Sequence, residues 1–182
     1  IDRAFRSGIF HPDEVEIVQI AQPSRTSLTV SRELRLQIER RAHDVAANWL
    51  RSDGTAALRV STEGCDRRQV AALFTAADMA LVTPRRDGMN RVAKEFSILN
   101  EPRSGALVLA RGAGAADDLD AGSVLVDGDA PSSVVDGIAQ AFALDVAARR
   151  RMARRRADAV RSWTSEHWAA DFERRLLDAQ VC

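Results

Sequence analysis

The run Thr83-Pro84-Arg85-Arg86-Asp87-Gly88-Met89-Asn90-Arg91-Val92-Ala93-Lys94-Glu95 holds the residues best placed to do chemistry. It follows an apolar burst, Met79-Ala80-Leu81-Val82, and leads into residues with helical spacing. Gly88 has no Cβ, so the backbone can come close to a ligand there. A helix starting near Gly88-Met89-Asn90 would aim the amides of positions 88 to 91 at an anion, and its dipole favours negative charge. A sugar diphosphate suits such a place. Asp87 can accept hydrogen bonds from sugar hydroxyls, and Glu95, two turns on, can take both hydroxyls of a ribose. A plainer reading exists: Asp before Gly is common in turns and caps, and Glu95 can be ordinary helix surface. On the residues alone both readings stand.

These residues need a scaffold that brings strand ends together. Short apolar runs alternate with longer amphipathic ones along the chain. Strands are expected at Val15–Ile20, Ala57–Val60, Met79–Thr83, Ala106–Leu109 and Val124–Val126. Helices are expected over 31–50, with Leu34, Ile38 and Trp49 near helical spacing, and after Asp66, burying Val70, Leu73 and Phe74. Further helices should carry Val92, Phe96 and Leu99, then span 114–119 and 132–142, the last with Pro131 in its first turn. Two more, near 146–160 and 163–178, close the chain. The alternation predicts an α/β fold: a Rossmann-like, mostly parallel sheet flanked by helices. Such sheets bind ligands beyond the C-terminal ends of their strands.

Composition excludes several alternatives. Basic and acidic residues number 26 each, so global charge makes no case for nucleic acid or a membrane. The run Arg149–Arg156 reads as a solvated helix face. Cys65 and Cys182 form no disulfide framework, and His11, His43 and His167 lack metal-ligand spacing. No metal or cofactor is expected, no apolar run is long enough for a bilayer, and a cytoplasmic location is the default. Trp163 and Trp168 read as packing residues. Ile1-Asp2-Arg3-Ala4-Phe5 reads as the middle of an amphipathic helix, so a preceding segment is expected.

Residues Val82 to Asn90, with Val92-Ala93-Lys94-Glu95, closely resemble the V-T-P-L-R-D-G-M-N-L-V-A-K-E signature of trehalose-6-phosphate synthases. Gln19-Ile20-Ala21-Gln22-Pro23-Ser24-Arg25 is similar to that family's Q-I-A-x-P-S-R. Gly105–Leu109 with Gly112–Leu119 is similar to its G-V-L-V-L-S-x-F-A-G-A-A-x-E-L. The resemblance spans nearly the whole chain. It implies a retaining glycosyltransferase of family 20 with the GT-B fold, of which residues 1–182 would be the nucleotide-sugar-binding C-terminal domain. The implied reaction moves glucose from UDP-glucose to glucose 6-phosphate without a metal. Asp87 would be the catalytic carboxylate on the transferred sugar. Gly88, Met89, Asn90, Arg91 and Val92 would hold sugar and diphosphate, Glu95 the ribose, and Arg25 the acceptor phosphate. The implied partners are a nucleotide-sugar donor, a sugar-phosphate acceptor and an N-terminal acceptor domain. Assembly with copies of itself stays open. The last helix would face that domain with Phe172 and Leu176, leaving them exposed here.

The chain also departs from the family. Arg91 stands for a leucine, and Ser61-Thr62-Glu63-Gly64-Cys65 differs from the usual loop beside the base, which leaves GDP or ADP open as donor nucleotide. Ser97–Glu101, Arg111 and Asp127-Gly128-Asp129 differ too. The family's R-x-D-Y-x-K-G loop would lie just before Ile1, and without its cations the chain as given should be catalytically silent. Two alternatives follow: a pseudo-glycosyltransferase similar to validoxylamine-phosphate synthases, and a non-catalytic nucleotide-sugar-binding fragment.

Overall fold

The computed structural model describes residues 1–20, 29–62 and 65–179, arranged as two compact units, Ile1–Val70 and Ala71–Cys182. The parallel β/α plan expected from the sequence is present, with its strands in two separate ladders.

In the first unit, β1 (Ile17–Ile20) runs parallel to β2 (Leu58–Ser61), Ile17 opposite Leu58 and Ile20 opposite Ser61. The crossover between them contains α2 (Thr29–Asn48). Leu34, expected on the buried face of α2, is 56% exposed, while Ile38 is half-buried. A short opening helix, α1 (Asp2–Arg6), buries Ala4 and Phe5. Phe5 stacks on Trp49 at 4.8 Å and meets Phe10 edge-on at 4.9 Å. The Trp49 indole N–H donates to Asp2 Oδ1 at 2.9 Å, so the ring's polar end is paired as its body is covered. A capping box starts α3 (Arg67–Ala76): Asp66 Oδ1 accepts from the Gln69 amide, and the Gln69 side chain accepts from the Asp66 amide.

The second unit contains β3 (Met79–Val82), β4 (Ala106–Ala110) and β5 (Val124–Val126), all parallel and in that order. Central β4 is buried along its whole length, which is why it is a continuous apolar run. Its side chains alternate between two layers. Leu107 and Leu109 pack with Val82, Ala93, Phe96 and Leu119; Ala106, Val108 and Ala110 pack with Val124, Val126 and Ala141. The first layer uses α4 (Arg91–Leu99) and α5 (Ala115–Leu119), the second α6 (Pro131–Phe142). The buried face of α4 is Ala93, Phe96 and Ser97, running on to Asn100; Val92 and Leu99, expected inside, are exposed. Helical geometry puts positions 93, 96, 97 and 100 on one side.

Two buried polar side chains close the end of this sheet where its strands begin. Asn100 donates to the Phe74 and Ala77 carbonyls and accepts from the Gly105 amide at 2.6 Å. Arg156, on α7 (Val146–Ser162), is 1% exposed and donates to the carbonyls of Gly105 and Gly122. The arginine run is therefore not one solvated face. Arg150, Arg151 and Arg154 are exposed, Arg149 donates to the carbonyls of Phe142 and Leu144, and Arg156 is core.

In α8 (Ser165–Ala179), Trp168, Phe172 and Leu176 are each half or more exposed, and Trp168 stacks on Phe172 at 5.3 Å. The expected exposure of Phe172 and Leu176 is met. Trp163 and Trp168 are not buried packing residues: 39% and 59% of their surfaces are open. Among the described residues no helix is long and apolar enough to cross a membrane.

Candidate functional site

Three loops leave the C-terminal ends of β3, β4 and β5: residues 83–90, 111–114 and 127–130. The first carries the motif. Its Asp87 is fixed by backbone pairing to the second loop. The Asp87 amide donates to the Gly112 carbonyl at 3.0 Å, and the Gly114 amide donates to the Asp87 carbonyl at 2.8 Å. The Asp87 carboxylate then folds the loop beyond it. Oδ1 accepts from the amides of Met89 and Asn90 at 3.2 Å, and Oδ2 accepts from Asn90 Nδ2 at 3.0 Å. The turn reading of Asp87 is thus realised. Its side chain remains exposed, and each carboxylate oxygen has more than one acceptor direction.

The helix does not begin at Gly88. It begins at Arg91, with Asn90 as N-cap: Asn90 Oδ1 accepts from the Ala93 amide at 2.9 Å. Asn90 has φ +67°, the left-handed region that asparagine tolerates better than most residues. The expected row of four amides is corrected accordingly. Those of Met89 and Asn90 donate to Asp87, because an aspartate in a turn bonds amides two and three residues ahead. Among the described residues, the amides of Gly88, Arg91 and Val92 have no hydrogen-bond partner. Among the described residues a Cβ added at Gly88 would meet nothing within 4 Å, so none of them requires glycine there.

Gly88, Met89, Arg91, Val92 and Glu95 are all exposed, with Glu95 one helical turn beyond Arg91. The face of α4 that continues the loop is therefore open to solvent. Beside it, Lys94 pairs with Asp118 of α5 at 2.6 Å, both side chains mostly covered, and the ammonium lies 5.8 Å from the Trp163 ring centroid. At the other flank Arg85 pairs with Asp129, both exposed, and the carboxylate raises the arginine's pKa. Arg111 is also exposed. The structure thus brings Asp87 through Glu95 together on one loop and helix. Arg25 lies outside the described residues, as do Glu63 and Gly64 of the Ser61–Cys65 loop. Among the described residues no cluster of His, Cys, Asp and Glu could hold a metal.

Sequence reasoning missed the capping role of Asn90 and the part of Gly112 and Gly114 in anchoring Asp87. The first had a signal, since Asn followed three residues later by the first buried helix position is an N-cap pattern. The second had none, because the pairing joins residues 25 or more apart in sequence.

Comparison with known proteins shows the family. The glycosyltransferase family 20 profile matches residues 5–178. An alpha,alpha-trehalose-phosphate synthase [UDP-forming] 1 of Arabidopsis thaliana is 32% identical over 172 residues, 93% of this chain and 18% of that protein. A trehalose-6-phosphate synthase of Mycobacterium marinum is 34% identical over 168 residues, 92% of this chain and 33% of that protein. Among solved structures, an alpha,alpha-trehalose-phosphate synthase (UDP-forming) from Burkholderia xenovorans, in complex with glucose-6-phosphate, superposes with a TM-score of 0.86 at 30% identity, over 97% of this chain and 38% of that one. A trehalose-6-phosphate structure from E. coli bound with UDP-2-fluoro glucose gives 0.87 at 28% identity, over 96% and 39%. The chain therefore spans between about a fifth and two fifths of the length of these relatives.

Proposed function

Because the chain belongs to glycosyltransferase family 20, we propose that it is the nucleotide-sugar-binding part of a retaining glycosyltransferase that makes trehalose 6-phosphate from UDP-glucose and glucose 6-phosphate. The observation that carries this reading is the open face from Gly88 to Glu95, where three unpartnered amides and a carboxylate stand at the mouth of a parallel sheet. Each group has a task. The amides of Gly88, Arg91 and Val92 meet the diphosphate at the positive end of α4. Asp87 accepts hydrogen bonds from hydroxyls of the transferred glucose, and Met89 and Asn90 shape the backbone around it. Glu95 takes the ribose hydroxyls, and Arg25 reaches the acceptor phosphate with its guanidinium fork. Arg91 adds a cation beside the departing diphosphate, where charge grows as the glycosidic bond breaks.

In this reading protein amides and guanidinium groups meet that charge without a metal, and EDTA should leave turnover unchanged. The N-terminal acceptor domain of the family belongs to the same proposal, as does a cytoplasmic site of action, since both substrates are charged and do not cross bilayers. The test is direct. The complete polypeptide carrying this chain should convert UDP-glucose and glucose 6-phosphate to UDP and trehalose 6-phosphate, read by mass spectrometry. No product with UDP-, GDP- or ADP-glucose would overturn it.

A further inference from the structure

The loop that carries Asp87 is held from two sides by backbone approaches that only glycine permits. A Cβ at Gly112 would come within 3.0 Å of the Arg85 carbonyl oxygen, and one at Gly114 within 3.0 Å of that of Gly88. A Cβ at Gly128, in the β5–α6 loop, would stand 2.8 Å from the Pro84 carbonyl oxygen. None of the three has positive φ, so close approach rather than backbone conformation calls for glycine. Asp129, next to Gly128, ties the same loop through Arg85. Gly88 is the opposite case, with open space where a side chain would stand.

We propose that Gly112, Gly114 and Gly128, with the Arg85–Asp129 ion pair, are positioning residues that fix where the 85–90 backbone stands and thereby set affinity for a nucleoside diphosphate. The proposal rests on the donor-site reading above. The seam works without touching the ligand. Backbone meets backbone with no side chain between, so the loop cannot drift toward β4 or β5. The Asp87 pairing to Gly112 and Gly114 keeps it from drifting away. A methyl group in the seam must push the 85–88 backbone outward. The amides of Gly88, Arg91 and Val92 then no longer converge on one diphosphate.

The test uses the complete polypeptide, UDP titration by calorimetry, thermal melting, and amide hydrogen exchange of residues 85–90 without ligand. Gly114→Ala should weaken UDP binding about tenfold, since displacements near 1 Å in a preorganised site have effects of up to about a hundredfold. Exchange at the Met89 and Asn90 amides should quicken, while KM for the sugar-phosphate acceptor stays unchanged. If Gly114→Ala does not fold, Gly128→Ala decides with its smaller overlap and an expected loss of about threefold. Arg85→Asp and Asp129→Arg should each weaken UDP binding, and the double exchange should restore it. Unchanged UDP affinity in every folded variant overturns the proposal. So does an equal loss for donor and acceptor that tracks the melting temperature, because that is the mark of a merely structural role. If the unaltered protein binds no UDP, GDP or ADP, the donor-site reading fails instead. Exchange at Met89 and Asn90 then still reports whether the seam places the loop.

Discussion

The two ends of the β3-β4-β5 sheet use polar residues in opposite ways. At the C-terminal end, Asp87, Asn90 and Glu95 are exposed or half-exposed, and the side-chain bonds of Asp87 and Asn90 are local, within three residues. At the N-terminal end, Asn100 and Arg156 are buried, and their bonds reach carbonyls 23 to 51 residues away. Removing a local, solvated bond lets water replace it. Removing a buried one leaves carbonyls with nothing to accept from. The first end can therefore be tuned for ligands at little structural cost, while the second fixes the fold and tolerates almost no change.

The largest effect should come from Arg156. Burial pushes its guanidinium down to about 10, so it remains charged at neutral pH inside the core, donating to two carbonyls with Phe96 beside it at 5.9 Å. Arg156→Ala should lower unfolding stability by about 3–5 kcal/mol, from two lost charge-assisted hydrogen bonds and a cavity. Arg156→Met should recover part of this, because it refills volume and removes a buried charge while the Gly105 and Gly122 carbonyls stay unpaired. Urea melts of both variants measure the difference. Equal stability of all three proteins would erase the contrast between the sheet ends.

Asn100 comes next. Asn100→Ala should cost about 2–3 kcal/mol, since it leaves two carbonyls and the Gly105 amide unsatisfied beneath α4. Asn100→Asp sharpens the point: the Gly105 bond survives, but a carboxylate oxygen now faces the Phe74 and Ala77 carbonyls. It should be at least as damaging, read by the same melts.

At the opposite end the expected outcome changes kind. Asp87→Ala should leave stability within about 1 kcal/mol, because only exposed turn bonds are lost. It should weaken UDP-glucose binding by about tenfold, the equivalent of one charge-assisted hydrogen bond. Glu95→Gln should do less, since an amide still accepts one ribose hydroxyl. Calorimetry with UDP and UDP-glucose separates the two: Glu95→Gln affects both ligands, Asp87→Ala mainly the sugar-bearing one. Loss of stability in Asp87→Ala comparable to that of Asn100→Ala would show that the motif serves the fold first.

The same contrast explains what the sequence disclosed. The strands were legible because apolar bursts such as Ala106–Ala110 have no other stable place. The motif was legible because its residues lie together in sequence and act locally. Asn100 and Arg156 were hidden because their partners are distant and their types look like surface. Arg156 sits among identical neighbours, and only its alignment with Ala153 and Ala157 on one helical face marks it as the buried member. The start of α4 lies past the expected one because periodicity does not show the left-handed conformation of its cap; only the residue type of Asn90 signals it. The seam glycines were invisible as a set, because close backbone approach belongs to the fold and not to any one loop.

The smallest effect lies beside Asn100 and depends on pH. Arg161 hydrogen-bonds the Glu101 carboxylate and holds it below the usual carboxylate range. The folded value lies under the ordinary 4.5, so protonation opposes folding only once the pH falls below 4.5. The pair's stabilisation is fully present above that value and disappears as the pH drops through the folded one. Wild type should therefore melt slightly above Glu101→Gln at pH 6, and the two curves should converge in acid. UDP affinity should not change, because Glu101 belongs to the end of the sheet away from the donor loop. A Glu101→Gln variant that binds UDP more weakly at pH 6 would mean that the two ends are coupled through α4, whose first turn offers amides to the ligand and whose last leads into Asn100 and Glu101.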